Sequence, residues 1–175
     1  MYWMLPWIWS MSVMNGFIQR GEIVATPLID TDLDRAAELH ANAFSHPWSG
    51  DELGSLLAQK GSFGFAARRV GSPEEPPVGF VLARLVEGEA EILTLAVAGE
   101  ARGRGVGRLL MDTVLAHLYA ERATVLHLEV DEENKAALAL YRRLRFEEVG
   151  RRPAYYAQAD GRRTSALTLS RSIKQ

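Results

Sequence analysis

Chemistry is concentrated in one heptapeptide of this sequence, Arg102-Gly103-Arg104-Gly105-Val106-Gly107-Arg108. Glycines let a chain turn tightly and bring backbone N–H groups close to a ligand. A helix starting at the end of the turn adds unpaired N–H groups and the positive end of its dipole. Three arginines add cationic side chains. Together these features call for an anion, a phosphate or pyrophosphate, rather than a solvated turn with capping glycines. The run is not a Walker loop, because no Gly-x4-Gly-Lys-Ser/Thr occurs. It is a poor dinucleotide fingerprint as well: Arg108 stands where the last glycine belongs, and the strands before it are too many for a first strand-turn-helix unit.

To hold that turn, the chain must place a strand before it and a helix after it. Residues 89–97 (EAEILTLAV) alternate, with Leu93, Leu95 and Val97 on one face and Ile92, Thr94 and Ala96 on the other. Val106, Leu109, Leu110, Thr113, Val114, His117 and Leu118 then fall on one helical stripe. Upstream, residues 22–28 read as a strand. Asp30 or Thr31 caps a helix carrying Leu33, Ala36, Ala37, Leu39, His40, Ala43 and Phe44, which Pro47 breaks. Ser49 caps a short helix, with Glu52 three residues on completing a capping box. Strands follow at 62–69 and 78–87, separated by a Pro-rich loop at 71–77 and turned at Gly88. Downstream come a strand at 124–130, a helix at 134–144, and closing strands at 146–151 and 165–173. The order predicts a mixed α/β fold around one central mixed sheet of about seven strands with about four helices.

Bulk properties narrow the function classes. The chain has 175 residues, enough for one domain. Charged residues make up 24% and the net charge is -2, so bulk charge does not indicate a nucleic-acid binder. With no cysteine, disulfides, thiolate zinc sites and a Cys nucleophile are excluded, and a reducing cytoplasm fits. Four scattered histidines form no metal constellation. Residues 1–18 carry no Lys, Arg, Asp or Glu and hold three of the four Trp. This extension is read as a translation-start artefact (with Met11 or Met14 the true start), a surface-packing segment, or a membrane-interface segment.

Arg102-x-x-Gly105-x-Gly107, after Leu95-Ala96-Val97, resembles the acetyl-CoA motif of the GCN5-related N-acetyltransferases, the GNAT superfamily. Glu129-Val130, Asn134, Ala137 and Tyr141 resemble that family's second conserved block. Phe44 through Pro47-Trp48-Ser49, Leu128-Glu129-Val130, Ala139-Leu140-Tyr141 and Tyr155-Tyr156 are similar to its ribosomal-protein-alanine N-acetyltransferase branch. The resemblance covers about residues 22–172, and implies a single GNAT-like domain at 19–175.

The resemblance implies that the pyrophosphate of acetyl-CoA lies on the amides of Gly103, Arg104, Gly105, Val106, Gly107 and Arg108, with Arg102 opening the motif. The pantetheine arm would run beside Leu95, Ala96 and Val97, touched by Asn134. Glu129 would be the general base and Tyr141 the general acid. Trp48, Tyr155 and Tyr156 would flank the acceptor. The acceptor implied is the N-terminal α-amine of a protein, a ribosomal protein in this branch, in the cytoplasm. No metal, nucleic acid or membrane partner is implied.

Each role competes with a plainer one. Glu129 also reads as a solvated strand carboxylate or one paired with an arginine. Tyr141 also reads as a helix tyrosine packing beside Leu140 and Leu144. Trp48 also reads as core. His127 is an alternative base, since its pKa lies near 7, although nothing in the resemblance supports it. Glu52, Glu132 and Glu133 are read either as partners for a basic acceptor tail or as solvated charges. Departures from the family pattern are Gly99 where Pro is common, Asp131 where Arg is common, and Arg145 where glycine closes the helix. The competing functions are acetylation of a small amine or Lys side chain, and a non-catalytic acyl-CoA-binding module. A membrane-tethered adaptor rests on the Trp-rich start alone.

Overall fold

The computed structural model describes residues 23–71, 75–158 and 160–173. The expectations for residues 1–18 and for a domain start at 19 lie outside them. The chain runs β1 (Ile23–Pro27), α1 (Leu33–Ala41), α2 (Gly50–Leu57), β2 (Ser62–Arg69), β3 (Gly79–Val86) and β4 (Glu89–Val97). It continues through α3 (Val106–Ala120), β5 (Val125–Asp131), α4 (Lys135–Arg143), β6 (Glu147–Ala157) and β7 (Arg163–Ser172). The seven strands form one sheet in the order β1-β2-β3-β4-β5-β7-β6. Only β4 and β5 are parallel, as a strand-helix-strand crossover through α3 requires. The mixed α/β fold with seven strands and four α-helices is the one the sequence predicted.

Local chemistry explains the joints. Glu87 (φ 51) and Gly88 (φ 87) turn β3 into β4, both left-handed as a tight two-residue hairpin turn demands. The Ser49 hydroxyl accepts from the Glu52 N–H at 3.2 Å, and the Glu52 carboxylate accepts from the Ser49 N–H at 2.7 Å. That is the predicted capping box of α2. α1 starts later than its sequence signals suggest. A 3-10 turn occupies Asp30–Asp32, held by the Asp32 carboxylate, which accepts from the Ile29 N–H and pairs with Arg68 of β2, and Asp32 becomes the N-cap of α1 without a side-chain bond to it. α3 buries Val106, Leu110, Met111, Val114 and Leu118. β5 turns Leu126, Leu128 and Val130 inward and leaves Val125, His127, Glu129 and Asp131 half-buried.

Two irregularities open the sheet. Across β3–β4, Leu82 pairs with Thr94 but Ala83 pairs with Ile92, so Leu93 is an extra residue that bends β4. The parallel ladder of β4 with β5 covers only Glu89/Val125, Ala90/Leu126 and Glu91/His127. Beyond that point the two strands part, and the edge of β4 facing β5 loses its ladder. Backbone donors and acceptors there need another partner.

The closing hairpin departs from expectation. β6 runs to Ala157 instead of ending near Arg151, and β7 starts at Arg163 instead of Ser165. Pro153 hid the continuation. β6 is the edge strand, where a proline costs no ladder bond, and the register jumps between Arg152 and Tyr156 around Ala154 (φ 51). Tyr155 and Tyr156 therefore stand on a bulged strand, not in a loop. Among the described residues no helix is long and apolar enough to cross a membrane, and no cluster of His, Asp or Glu forms a metal site.

Candidate active site

The glycine turn joins the end of β4 to α3. After a 3-10 turn at Gly99–Ala101, Gly103 (φ 70) and Gly105 (φ 82) are left-handed, and Gly105 is the N-cap of α3. A Cβ at either would meet nothing within 4 Å, so backbone conformation and not crowding calls for glycine here. Gly107 differs. A Cβ there would stand 3.3 Å from Leu140 of α4 and 4.0 Å from Leu95 of β4, so the first turn of α3 sits tightly on both. The first N–H to find a helical acceptor is that of Leu109, on the Gly105 carbonyl at 2.9 Å. The amides before it are the unpaired donors of a helix N-terminus.

The arginines of the turn behave differently from one another. Arg102 donates Nε–H to the Val97 carbonyl at 3.1 Å and ties the turn back to β4. Arg108 pairs with Asp112 one helical turn on, at 2.7 Å. Arg104 is exposed and, among the described residues, has no ion-pair partner. Leu95, Ala96 and Val97 lie on the part of β4 that has parted from β5. The open edge, the left-handed glycines and the free helix amides thus lie along one continuous stretch. An extended arm ending in a pyrophosphate fits these donors, and the arrangement suits acetyl-CoA.

Glu129 lies on β5 past the point of parting. Its Oε1 is 2.9 Å from the Arg152 guanidinium, and its side chain keeps 26% exposure. The ion-paired reading of Glu129 is therefore realised, with one carboxylate oxygen taken. Arg152 also stands 5.3 Å from the ring centre of Tyr155. Tyr155 and Tyr156 pack edge to face at 5.0 Å. Burial, then the charge of Glu129, pushes the Tyr156 phenol upward. Thus Glu129, Arg152, Tyr155 and Tyr156 form one cluster. His127 is on the same face of β5, but its backbone pairs with Glu91 in the closed part of the sheet, which removes it from the opening.

Tyr141 of α4 is buried, with its ring edge-on to Phe146 at 5.6 Å. Desolvation pushes its phenol up to about 12. It therefore holds its proton across the physiological range, as a proton donor must. Asn134 caps α4, its Oδ1 accepting from the Ala137 N–H at 3.1 Å. That leaves its amide NH2 free for a ligand. α4 closes with the Phe146 N–H on the Tyr141 carbonyl and the Arg145 N–H on the Arg142 carbonyl, both 3.0 Å, with Arg145 left-handed at φ 62. This is a Schellman closure with arginine in the glycine position.

Trp48 belongs to a separate cluster. Its backbone N–H donates to His40 Nδ1 at 3.1 Å, and the His40 ring stacks on Trp48 (4.9 Å) and Phe44 (4.3 Å). Burial pushes the His40 pKa down, against the opposing charge of Glu52. By spacing alone, His40 holds only a place on a helical stripe. Its spacing with Phe44 and Trp48, four and eight residues on, is the signal for the stack.

The acidic residues considered for a basic acceptor tail are already engaged. Glu52 is in the α2 capping box. Glu132 accepts from the Ser165 N–H (2.7 Å) and pairs with Arg151 (2.6 Å); the Ser165 bond chiefly holds it below the ordinary carboxylate range. Glu133 pairs with Arg162 at 2.9 Å. Asp131 fastens the closing hairpin, accepting from Gln158 (2.8 Å) and the Thr164 hydroxyl (2.9 Å). Gln158 and Thr164 carry no pattern in sequence that announces this.

Comparison with known proteins agrees with this geometry. The acetyltransferase (GNAT) family model matches residues 33–146. The chain is 31% identical over 138 residues to the [ribosomal protein bS18]-alanine N-acetyltransferase of Salmonella typhimurium, covering 77% of this chain and 87% of that one. It is 35% identical over 140 residues to an uncharacterized protein of Mycobacterium leprae, covering 77% of this chain but spanning only 37% of that longer relative. The crystal structure of the ribosomal-protein-S18-alanine N-acetyltransferase from Escherichia coli superposes with a TM-score of 0.79 at 28% identity, covering 88% of this chain and 96% of that one. With the family model spanning most of the chain, and the glycine turn, parted strands and buried tyrosine in place, the chain belongs to the GNAT family and is an acetyl-CoA-dependent N-acetyltransferase.

Proposed function

We propose that this enzyme acetylates the N-terminal α-amine of a protein, a ribosomal protein made in the same cytoplasm, with Glu129 as general base and Tyr141 as general acid. The observation that carries the reading is the parting of β4 and β5 just past Glu91 and His127. The glycine turn stands at the end of one strand and Glu129 on the other. The acceptor class follows the printed activities of the Salmonella and E. coli relatives.

The amine nitrogen attacks the thioester carbonyl carbon, and the C–S bond breaks. Glu129, directly or through water, takes the proton the amine loses. Tyr141 gives its proton to the departing thiolate. Amides on the free edge of β4 would stabilise the developing oxyanion, and holding amine and thioester together supplies much of the rate. An α-amine, with pKa about 7.7–8.0, is partly neutral at pH 7, whereas Lys at about 10.4 is not. A carboxylate base therefore suits the former better. Leu95, Ala96, Val97, Gly103, Arg104, Gly105, Val106, Gly107 and Arg108 hold the cofactor in this reading. Asn134 offers its free NH2, and Arg102 shapes the turn. Trp48, Tyr155 and Tyr156 flank the acceptor.

The test is acetyl transfer to peptides with free N-terminal Ala or Ser, the same peptides N-blocked but carrying Lys, and small polyamines. Transfer confined to free N-termini and lost in Glu129→Gln supports the reading. Transfer only to Lys or polyamines overturns the acceptor. Acetyl-CoA binding with no transfer to any acceptor makes the chain a binding module.

A further inference from the structure

The loop between α1 and α2 leans on one buried side chain that the acetyl-transfer chemistry does not use. His40 closes α1, its carbonyl accepting from the Ala43 N–H (3.0 Å) and the Phe44 N–H (2.9 Å). Its ring is buried and stacks on Phe44 with 27° between planes and on Trp48 with 14°. From Ser45 to Trp48, among the described residues, the loop makes one hydrogen bond, from the Trp48 backbone N–H to His40 Nδ1. Nδ1 accepts only while it carries no proton, so the neutral ring bears its proton on Nε2. A second proton turns Nδ1 into a donor facing the Trp48 N–H, and the loop loses that bond.

Burial opposes this proton and Glu52 of α2 favours it. Glu52 is the one charge that acts on the ring from the elements around it, which are α1 itself, α2, and the strands β3 and β4 against which α1 packs. The faces of Phe44 and Trp48 also favour a cation, but stacking does not replace the lost bond. Two features join the loop to the reaction. α1 packs on β4, the strand that borders the opening in the sheet. Phe44 is 41% exposed, so the stack presents an aromatic outer face.

We propose that His40 is a positioning residue for the acceptor: neutral, it holds Trp48 and the α1–α2 loop in the acceptor-binding shape, and protonated, it releases them. The inference rests on the reading of Trp48 as a flank of the acceptor. Acetyl-CoA, held by β4 and the glycine turn, does not sense the change.

The experiment measures KM for a peptide with a free N-terminal Ala, and KM for acetyl-CoA, at pH 7.5 and 5.0. It compares wild type, His40→Gln, which accepts from Trp48 but does not titrate, and His40→Leu, which cannot accept. Titration of the α-amine and of Glu129 is common to all three and cancels in their ratios. The ratio of acceptor KM in wild type to that in His40→Gln should rise about threefold or more from pH 7.5 to 5.0. The acetyl-CoA KM should show no such divergence. His40→Leu should carry the raised acceptor KM already at pH 7.5. Melts at both pH values keep the assays below every Tm, so a merely structural histidine leaves these ratios flat. A flat ratio, an acceptor KM in His40→Leu equal to wild type at pH 7.5, or a divergence in the acetyl-CoA KM overturns the proposal. Wild type that modifies only Lys overturns the α-amine reading instead, and the same ratios measured with a Lys peptide then decide on His40. Wild type that modifies no amine overturns both.

Discussion

Replacing Tyr141 by Phe removes one oxygen from the buried end of α4. Desolvation raises this phenol from the ordinary 10 to about 12. At about 1.36 kcal/mol per pKa unit, the neutral form is favoured by roughly 2 to 3 kcal/mol more than in water. At pH 6 to 9 the hydroxyl is fully protonated and ready to donate. Among the described residues it has no hydrogen-bond partner, and the ring packs edge-on against Phe146. Phe keeps that contact and leaves no polar group stranded, so Tm should move by no more than about 2 °C. Loss of a general acid lowers turnover by about 10²- to 10⁴-fold. The assay is kcat and KM for acetyl transfer, with thermal melts of both proteins and a pH series from 6 to 10. The expected result is a large fall in kcat, an unmoved Tm, and no wild-type loss of activity below pH 10 that Phe abolishes. An unchanged kcat refutes the acid role. A wild-type alkaline limb centred below pH 10 and absent in Phe refutes the buried, raised phenol.

Three further outcomes follow from the geometry. Arg152→Gln frees Glu129 Oε1 from a pair whose arginine is mostly exposed, so the acceptor KM should fall, by no more than about fivefold; a rise in KM would mean that Arg152 holds the acceptor instead. The lowered pKa of His40 means that the unfolded chain takes up a proton first as pH falls. Its stabilising contribution is therefore full above about pH 6.5 and is lost progressively below it. His40→Gln, which can still accept from Trp48 but does not titrate, should show a shallower fall in Tm between pH 7 and 5, and equal slopes would contradict the sign. Gly105→Ala forces a Cβ onto a left-handed N-cap (φ 82) at a cost of about 1–2 kcal/mol. It should weaken acetyl-CoA binding together with Tm, and an unchanged Kd would remove the turn from the cofactor site.

Local signals in the chain were legible wherever partners sit close in sequence. Ser49 and Glu52, Asn134 and Ala137, and the glycines at 103 and 105 each announce their geometry within a few residues. The alternation of β4 announced a strand, and Ala90, Ile92, Thr94 and Ala96 are its buried residues. The closing hairpin was less legible. β6 is an edge strand exposed nearly throughout, so it has no alternating pattern, and Pro153 imitates a strand end. Tertiary pairings were silent for a different reason. Glu129 meets Arg152, Asp131 meets Gln158 and Thr164, and Arg108 shares a cavity with Arg171, all across long sequence separations. Spacing carries no signal for such meetings, and only the resemblance to a family singled out Glu129 and Tyr141 among many carboxylates and tyrosines.

One measurement bears most directly on the acceptor. A peptide carrying both a free N-terminal alanine and an internal lysine is incubated with acetyl-CoA and the enzyme, and the acetyl group is located by fragmentation mass spectrometry. The account predicts a single acetyl on the α-amine, dependent on Glu129. An acetyl on the lysine side chain with the α-amine left free would contradict it.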